Sequence, residues 1–208
     1  MRSTTTCRPS RPSVEPLAPR PVTDPHLLLL AREPWVLRVG HVGLRIRPST
    51  ARDLAAVAQM HHRCSPRSLL DRYRAGGRPP AVAAVDELLR RPDTFVAATP
   101  DGDVVAMATL ARDTDHNHLC AALGLLVEDS WQRLGVGSEL VSHMAGLAQA
   151  RGFHELIAYP ATAMAAAQRL MVEVGRTRIV PDVDAHLHTY LPESAALGLG
   201  SVRQRLAG

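Results

Sequence analysis

Lysine is absent from the 208-residue chain, so all 24 basic residues are arginine. Aromatic residues make up only 3% of the sequence. Proteins that bind single-stranded nucleic acid stack bases on aromatic rings, so this composition disfavours that class. A phosphate loop of the Walker type is excluded, because it needs a lysine to contact the phosphates. The net charge of +4 is spread along the chain without a basic run, so nucleic acid is not expected as a partner.

The sequence is also poor in cysteine and in long apolar runs. Cys7, Cys64 and Cys120 are far apart and form no C-x-x-C pair, so neither a disulfide framework nor a cysteine-rich zinc site is expected. No stretch approaches the roughly 20 apolar residues of a membrane span. No apolar segment typical of a signal peptide follows Arg2. We therefore expect a cytoplasmic protein with no membrane partner.

The composition divides the chain into a domain and two tails. With 46% hydrophobic residues, the chain can build one sizeable core. Seven prolines lie in the first 34 positions, where they remove backbone donors and disfavour helix. We predict a mobile tail over residues 1–40, one domain over 41–192 and a second tail over 193–208. In an alternative, Leu27–Leu30 and Trp35–Val39 dock on the domain as a short helix and an extra strand.

Hydrophobic periodicity predicts an α/β domain. Alternating apolar and polar residues indicate strands, whereas apolar residues three or four positions apart indicate helices. The central strand is apolar almost throughout, which is typical of a strand buried on both faces. The predicted order is a strand at 42–47, helices at 50–61, 65–76 and 80–89, a hairpin at 94–110, the central strand at 118–127, a helix after Gly135, a strand at 154–159, a helix at 163–174 and a hairpin at 178–191.

A glycine-containing loop after the central strand is the most informative segment. The strand runs into a short loop, and a helix begins at Gly135-Val136-Gly137. Free N–H groups and the positive end of the helix dipole meet there and form a site for phosphate oxygens. The two glycines remove side chains that would block a close approach, while Ser138 adds a hydroxyl and Arg133 a cation. A Rossmann loop is excluded, because the chain has no G-x-G-x-x-G.

At this segment the sequence resembles the GNAT N-acetyltransferase superfamily. Gln132-Arg133-Leu134-Gly135-Val136-Gly137 matches the Q/R-x-x-G-x-G/A signature for coenzyme A, and the order of elements over about residues 42–191 agrees as well. The resemblance implies an α/β (α+β) fold with a mixed, mostly antiparallel sheet that splays apart at the central strand and is flanked by helices. In this family acetyl-CoA inserts its pantetheine arm at the splay like a missing strand.

The resemblance implies acetyl-CoA as co-substrate and the residues that would bind it. Backbone N–H groups from Gln132 through Ser138 would hold the pyrophosphate, and Leu125 and Val127 would pair with the pantetheine amides. The N–H near Val127 would polarise the thioester carbonyl. The amine would attack directly, with no covalent enzyme intermediate. The implied set is Leu125, Leu126, Val127, Gln132, Arg133, Leu134, Gly135, Val136, Gly137 and Ser138.

Two positions depart from the family pattern. In many members the helix that ends at the position of Gly175 carries an Asn eleven residues upstream, which helps to place the cofactor. It also carries a Tyr four residues upstream, which protonates the leaving thiolate. Here these positions hold Met164 and Met171, which we interpret as packing residues. A catalytically degenerate domain that binds acyl-CoA as a sensor or interaction module is therefore the alternative function.

An attacking amine must lose a proton, so a general base is expected within its reach. Glu128, at the end of the central strand, is the first candidate, and His118, at its start, is the second. Further candidates are His116, His186, His188 and Tyr190, of which the last three alternate on one strand and share a face. The acidic and histidine residues at 113–118 are dense, but they lie in a predicted loop, so no metal site is expected.

The predicted function is an N-acetyltransferase that moves an acetyl group from acetyl-CoA to an amine. The acceptor is a protein lysine or a small-molecule amine. The segment Met60–Tyr73 resembles a stretch of bacterial protein-lysine acetyltransferase domains, which favours a protein acceptor. The sequence leaves a homodimer open, and an arginine-rich nucleic-acid binder is a third, weaker hypothesis.

Overall fold

The computed structural model describes residues 25–74, 76–113, 119–181 and 185–192. This part of the chain forms one eight-stranded sheet flanked by helices. The strands are β1 (Trp35–Val39), β2 (Val42–Pro48), β3 (Thr94–Ala98), β4 (Val104–Arg112), β5 (Cys120–Val127), β6 (Glu155–Ala158), β7 (Arg176–Val180) and β8 (His186–Tyr190). The helices are α1 (Pro25–Leu30), α2 (Leu54–Arg63), α3 (Pro66–Tyr73), α4 (Val82–Arg90), α5 (Val136–Ala150) and α6 (Met164–Val172).

The strands lie in the order β1-β2-β3-β4-β5-β6-β8-β7. Every neighbouring pair is antiparallel except β5 with β6, which is parallel. The sheet is therefore mixed and mostly antiparallel, and the predicted fold class and element order are confirmed. Among the described helices, none has the length and apolar character needed to cross a bilayer.

The sheet separates two hydrophobic cores. On one face α5 packs against β4 and β5, and α6 packs against β7 and β8. On the other face α2, α3 and α4 pack against β4, β5 and β3, respectively. Strand β5 contributes to both cores because successive side chains point to opposite faces: Leu123 and Val127 belong to the first, and Leu126 to the second. This explains its almost continuous apolar sequence.

The sheet begins before residue 41, where we predicted the domain boundary. Strand β1 pairs with β2 along five residues, so residue 41 falls within a hairpin. Trp35 is buried, its Nε1 donates to Glu139 Oε1 at 2.9 Å, and its ring centroid lies 4.1 Å from that of His143 on α5. Burial of the large indole ring stabilises the docked segment, which explains why β1 joins the sheet. Residues 1–24 of the tail predicted at 1–40, and the tail predicted at 193–208, lie outside the described residues.

We predict that Trp35 stabilises the whole domain. Trp35→Ala removes a buried ring and should lower the free energy of unfolding by about 3 kcal/mol. The matched variant Trp35→Phe keeps an aromatic ring and loses the bond to Glu139, so its loss should be closer to about 1 kcal/mol. Urea unfolding of both variants measures the difference. Equal, near-zero losses would show that β1 does not contribute to the core.

Candidate functional site

The site is built on the separation of β5 from β6. Strand β5 pairs with β6 only over Cys120–Ala122, although it pairs with β4 as far as Val127. Beyond Ala122, in the part of the chain that the structure describes, no strand covers the edge of β5 that faces β6. The sheet therefore splays at the central strand, as predicted.

The alternating hydrogen-bond pattern between β4 and β5 determines which backbone groups of β5 face the gap. In an antiparallel pair, alternate residues direct their N–H and C=O groups toward the partner. Glu128 N donates to Val105 O at 2.9 Å, so Glu128 points its backbone to β4. By alternation, Leu123, Leu125 and Val127 point theirs away from β4, into the gap. The edge thus offers amide donors and carbonyl acceptors to an extended ligand.

The start of α5, at the end of this edge, has the backbone geometry of an anion site. Gly135 precedes the helix with φ 85°, and no side chain caps the helix N-terminus. The first N–H groups of a helix have no partner within it, and the helix dipole adds partial positive charge. An added Cβ at Gly137 would lie 3.5 Å from the Leu170 side chain and 3.6 Å from that of Leu125, which is ordinary contact distance, and Gly137 lines the cleft described below. Arg133 also lines this region.

The gap and the anion site open into one cleft of about 970 Å³. Most of the residues predicted to bind the cofactor line it: Leu125, Leu126, Val127, Gln132, Arg133, Gly135, Gly137 and Ser138. Two predicted residues do not line the cleft: the Leu134 side chain is half exposed, and Val136 is buried in the core. Met171 is buried in the same core and lines the cleft, while Met164 packs against that core. Both methionines therefore act as packing residues.

Helix α3 lies across the cleft and is fixed at both ends. At its start, Asp129 accepts from Ser65 N, from Ser65 Oγ at 2.7 Å and from Ser68 Oγ at 3.0 Å. Partial burial raises the pKa of Asp129, but these hydrogen bonds outweigh it and hold the pKa below its ordinary value. Near its end, Asp71 accepts from Thr162 and from Ala163 N, at the start of α6. Side chains of α3 are thereby held over β5.

A histidine–tyrosine pair lies on this side of the cleft. His61 Nδ1 is 2.7 Å from Val57 O, which can only accept, so Nδ1 carries the proton. His61 Nε2 therefore accepts from the hydroxyl of Tyr73, which lines the cleft. Burial lowers the pKa of His61 and raises the pKa of Tyr73, so both are neutral near pH 7. The pairing could not be predicted from the sequence, because His61 lies on α2 and Tyr73 on α3.

The predicted bases that the structure describes have different partners. Both carboxylate oxygens of Glu128 are engaged: Oε2 accepts from Arg63 Nε at 2.8 Å and Oε1 from Ser130 Oγ at 3.0 Å. Glu128 does not line the cleft. His118 and His116 lie outside the described residues. His186, His188 and Tyr190 share a face of β8, and His188 Nε2 is 2.7 Å from Glu155 Oε2.

A second polar cluster lies where β5, β6 and β8 are neighbours in the sheet. Cys120 Sγ donates to Glu155 Oε2 at 2.8 Å, and His188 bonds to the same oxygen. The three possible ligand atoms lie within 4.8 Å of one another. They come from three different strands, so no sequence spacing could indicate the group. Hydrogen bonds within the cluster already satisfy its shared carboxylate oxygen.

A model of the acetyltransferase (GNAT) family matches residues 54–175. No curated protein matches the chain significantly. The chain is similar to the GNAT domain of S. lividans PAT, with 22% identity, 77% of this chain and 97% of that chain covered, and a TM-score of 0.66.

Two further solved structures contain a bound ligand. One is a GNAT superfamily phosphinothricin acetyltransferase from Sinorhizobium meliloti in complex with acetyl-CoA. Its identity is 17%, with 74% of this chain and 91% of that chain covered, and a TM-score of 0.59. The other is Mycobacterium smegmatis RimJ in complex with CoA-disulfide. Its identity is 20%, with 83% and 94% covered, and a TM-score of 0.57. At these identities the likeness concerns the fold.

We predict that His61 titrates below the ordinary histidine pKa of about 6.5. Burial disfavours the imidazolium, and protonation at Nε2 would break the bond from Tyr73. An NMR titration of the folded protein should show the shift, and the same protein in denaturant should lose it. A midpoint at or above the ordinary value in the folded state would contradict the burial of His61 as a neutral imidazole.

Proposed function

Because the chain belongs to the acetyltransferase (GNAT) family, we propose that it transfers the acetyl group of acetyl-CoA to the nitrogen of an amine. The observation that carries this proposal is the continuity of the open β5 edge with the anion site at the start of α5. An extended amide-containing arm that ends in a pyrophosphate matches both parts of this cleft. The S. meliloti relative was solved with acetyl-CoA in the same fold.

The proposed cofactor lies along β5 and ends at α5. Backbone N–H groups between Gln132 and Ser138 hold the pyrophosphate, with Arg133 as a neighbouring cation. The pantetheine amides pair with the outward backbone groups of Leu125 and Val127. Gln132 Nε2 donates to Val127 O at 3.0 Å, so Val127 offers the cofactor only its outward N–H. The thioester is the end of the arm far from the pyrophosphate, so the outward N–H of Leu125 polarises its carbonyl in our proposal.

The acceptor amine approaches from the side of α3. Its nitrogen attacks the thioester carbon, the new C–N bond forms, and collapse of the tetrahedral intermediate breaks the C–S bond. The thiolate of coenzyme A leaves and takes a proton. Met171 stands where many family members place a tyrosine for that step, so water supplies this proton in our proposal.

The proton of the attacking amine passes to Tyr73 and His61. The Tyr73 hydroxyl donates to His61 Nε2, so a lone pair of its oxygen is directed elsewhere and can accept an N–H. His61 then takes the tyrosine proton. Glu128 is the alternative base, but Arg63 and Ser130 engage its oxygens outside the cleft lining. His118 stays a further candidate of the sequence.

We also propose an organisation for the rest of the chain. The catalytic domain includes α1, which contacts α5, and β1, which pairs with β2. The protein works in the cytoplasm, where acetyl-CoA is available. The second candidate function is an acyl-CoA sensor, which the two methionines in place of the family's polar residues favour.

We expect Gly137→Glu to weaken coenzyme A binding more than tenfold, which corresponds to over about 1.4 kcal/mol. The glutamate brings bulk and negative charge to the site of the phosphates. The matched Gly137→Ala variant adds only a Cβ at ordinary contact distance from Leu170, so it should bind nearly as wild type. Calorimetry with coenzyme A gives both affinities. Unchanged affinity in a folded Gly137→Glu protein would contradict the cofactor assignment.

We expect Tyr73→Phe to lower kcat/KM by about 10²-fold at neutral pH, the low end for general-base catalysis. Because the base must be neutral, wild-type kcat/KM should fall only as the pH drops below the ordinary histidine value. Glu128→Gln, the matched variant, should lose less than about tenfold. Thiol release from acetyl-CoA with a panel of amines measures all three proteins.

The same assay separates the competing assignments. A large loss in Glu128→Gln with an unchanged Tyr73→Phe would assign the base to Glu128. Binding of coenzyme A by the wild type without any thiol release would instead favour the sensor.

A further inference from the structure

Arg72 of α3 lies directly on the backbone of β5. A Cβ built at Gly124 would be 2.5 Å from the Arg72 guanidinium carbon, so only glycine leaves room for this side chain. One terminal nitrogen donates to Thr109 Oγ1 on β4 at 2.8 Å. The guanidinium carbon also lies 4.9 Å from the centre of the Tyr73 ring. Arg72, Gly124, Thr109 and Tyr73 all line the cleft.

The charge of Arg72 has no counterion among the described residues. No carboxylate of that part of the chain lies within ion-pair distance of it, and its Nε is buried without a hydrogen-bond partner. Burial lowers the pKa of Arg72, and the charge of Arg91 lowers it further. Three of the described acidic residues line the cleft: Asp71 and Asp129 already accept from the start of α6 and from the start of α3, and Glu173 forms no ion pair with Arg72. A buried, uncompensated cation is unfavourable, and an anionic ligand would relieve it.

The position of Arg72 constrains the size of such a ligand. Gly124 is adjacent to Leu125, one of the residues proposed to hold the thioester arm, and Tyr73 follows Arg72 in sequence. The oxyanion must therefore bind within a few bonds of the reacting nitrogen. An α-amino acid meets this condition, because only the N–Cα and Cα–C bonds separate its nitrogen from its carboxylate carbon. A lysine within a protein does not, since its carboxylate is consumed in a peptide bond.

We propose that the acceptor is a small amine with a carboxylate or similar oxyanion close to its nitrogen, and that Arg72 binds this oxyanion. The inference rests on the proposed acetyltransferase function and narrows its acceptor from amines in general to amino-acid-like amines. The guanidinium can offer its buried Nε–H and a terminal N–H to two oxygens in parallel. Arg72 thereby selects the acceptor and orients its nitrogen toward the thioester.

The test compares amino acids with their α-carboxamides, which have nearly the same shape but an uncharged amide in place of the carboxylate. Wild type should favour the carboxylate member of an accepted pair by about 10–100-fold in kcat/KM, as expected for a charged hydrogen-bonded pair. Arg72→Gln should abolish this preference while leaving the affinity for coenzyme A unchanged. Arg72→Lys should retain only part of it, because lysine is a point charge without a fork. Arg52→Gln, which removes an exposed arginine that does not line the cleft, is the matched control.

Gly124→Ala is the second variant, in case Arg72→Gln does not fold. It keeps the positive charge but displaces the guanidinium from β5, so it should lose the carboxylate preference as well. Amides and lysine peptides that react as well as free amino acids in wild type would overturn the inference, although the acetyltransferase function would stand.

The absence of thiol release with every amine would instead contradict the proposed function. Binding of a carboxylate at Arg72 is then tested by calorimetry, with amino acids titrated into the protein saturated with coenzyme A. Binding that Arg72→Gln abolishes supports the inference, and no binding to wild type overturns it.

Discussion

The short pairing between β5 and β6 is the constraint on which the site depends. Three residues of each strand pair, and the sheet then divides while β5 continues along β4. An unpaired strand edge inside a protein is unfavourable unless something satisfies its backbone groups. In this chain the edge opens into a cleft that leads to the start of α5, so a ligand of the right chemistry can complete the ladder. The open edge of the cleft follows from the point at which β5–β6 pairing ends.

Helix α3 gives the cleft its second side. The carboxylates of Asp129 and Asp71 hold its two ends, one to the turn after β5 and one to the start of α6. Because these elements border the cleft, the helix is tied to the frame that would position the cofactor. Arg72 and Tyr73 follow Asp71 directly, so the same anchoring places a cation and a hydroxyl over β5.

The polar groups above β5 differ in how they are satisfied. His61 and Tyr73 satisfy each other and the carbonyl of Val57, which fixes the tautomer of the histidine. Arg72 keeps a buried donor without an acceptor. Buried polar groups are rarely left in this condition in a folded protein. His61 and Tyr73 are therefore arranged as a pair suited to proton transfer, whereas Arg72 is suited to binding an anion.

The sequence by itself determined the order of the elements, the glycine-containing loop that starts α5 at Gly135-Val136-Gly137 and the splay implied by the family resemblance. These features are local, because hydrophobic period, glycine and helix start depend on residues near one another in the chain. Only the tertiary structure decided that Trp35 joins the sheet, through contacts with α5 about a hundred residues away. It also decided that Arg63 engages Glu128, and that Arg72 lies on Gly124. Such partners depend on how distant elements pack, which no spacing in the sequence records.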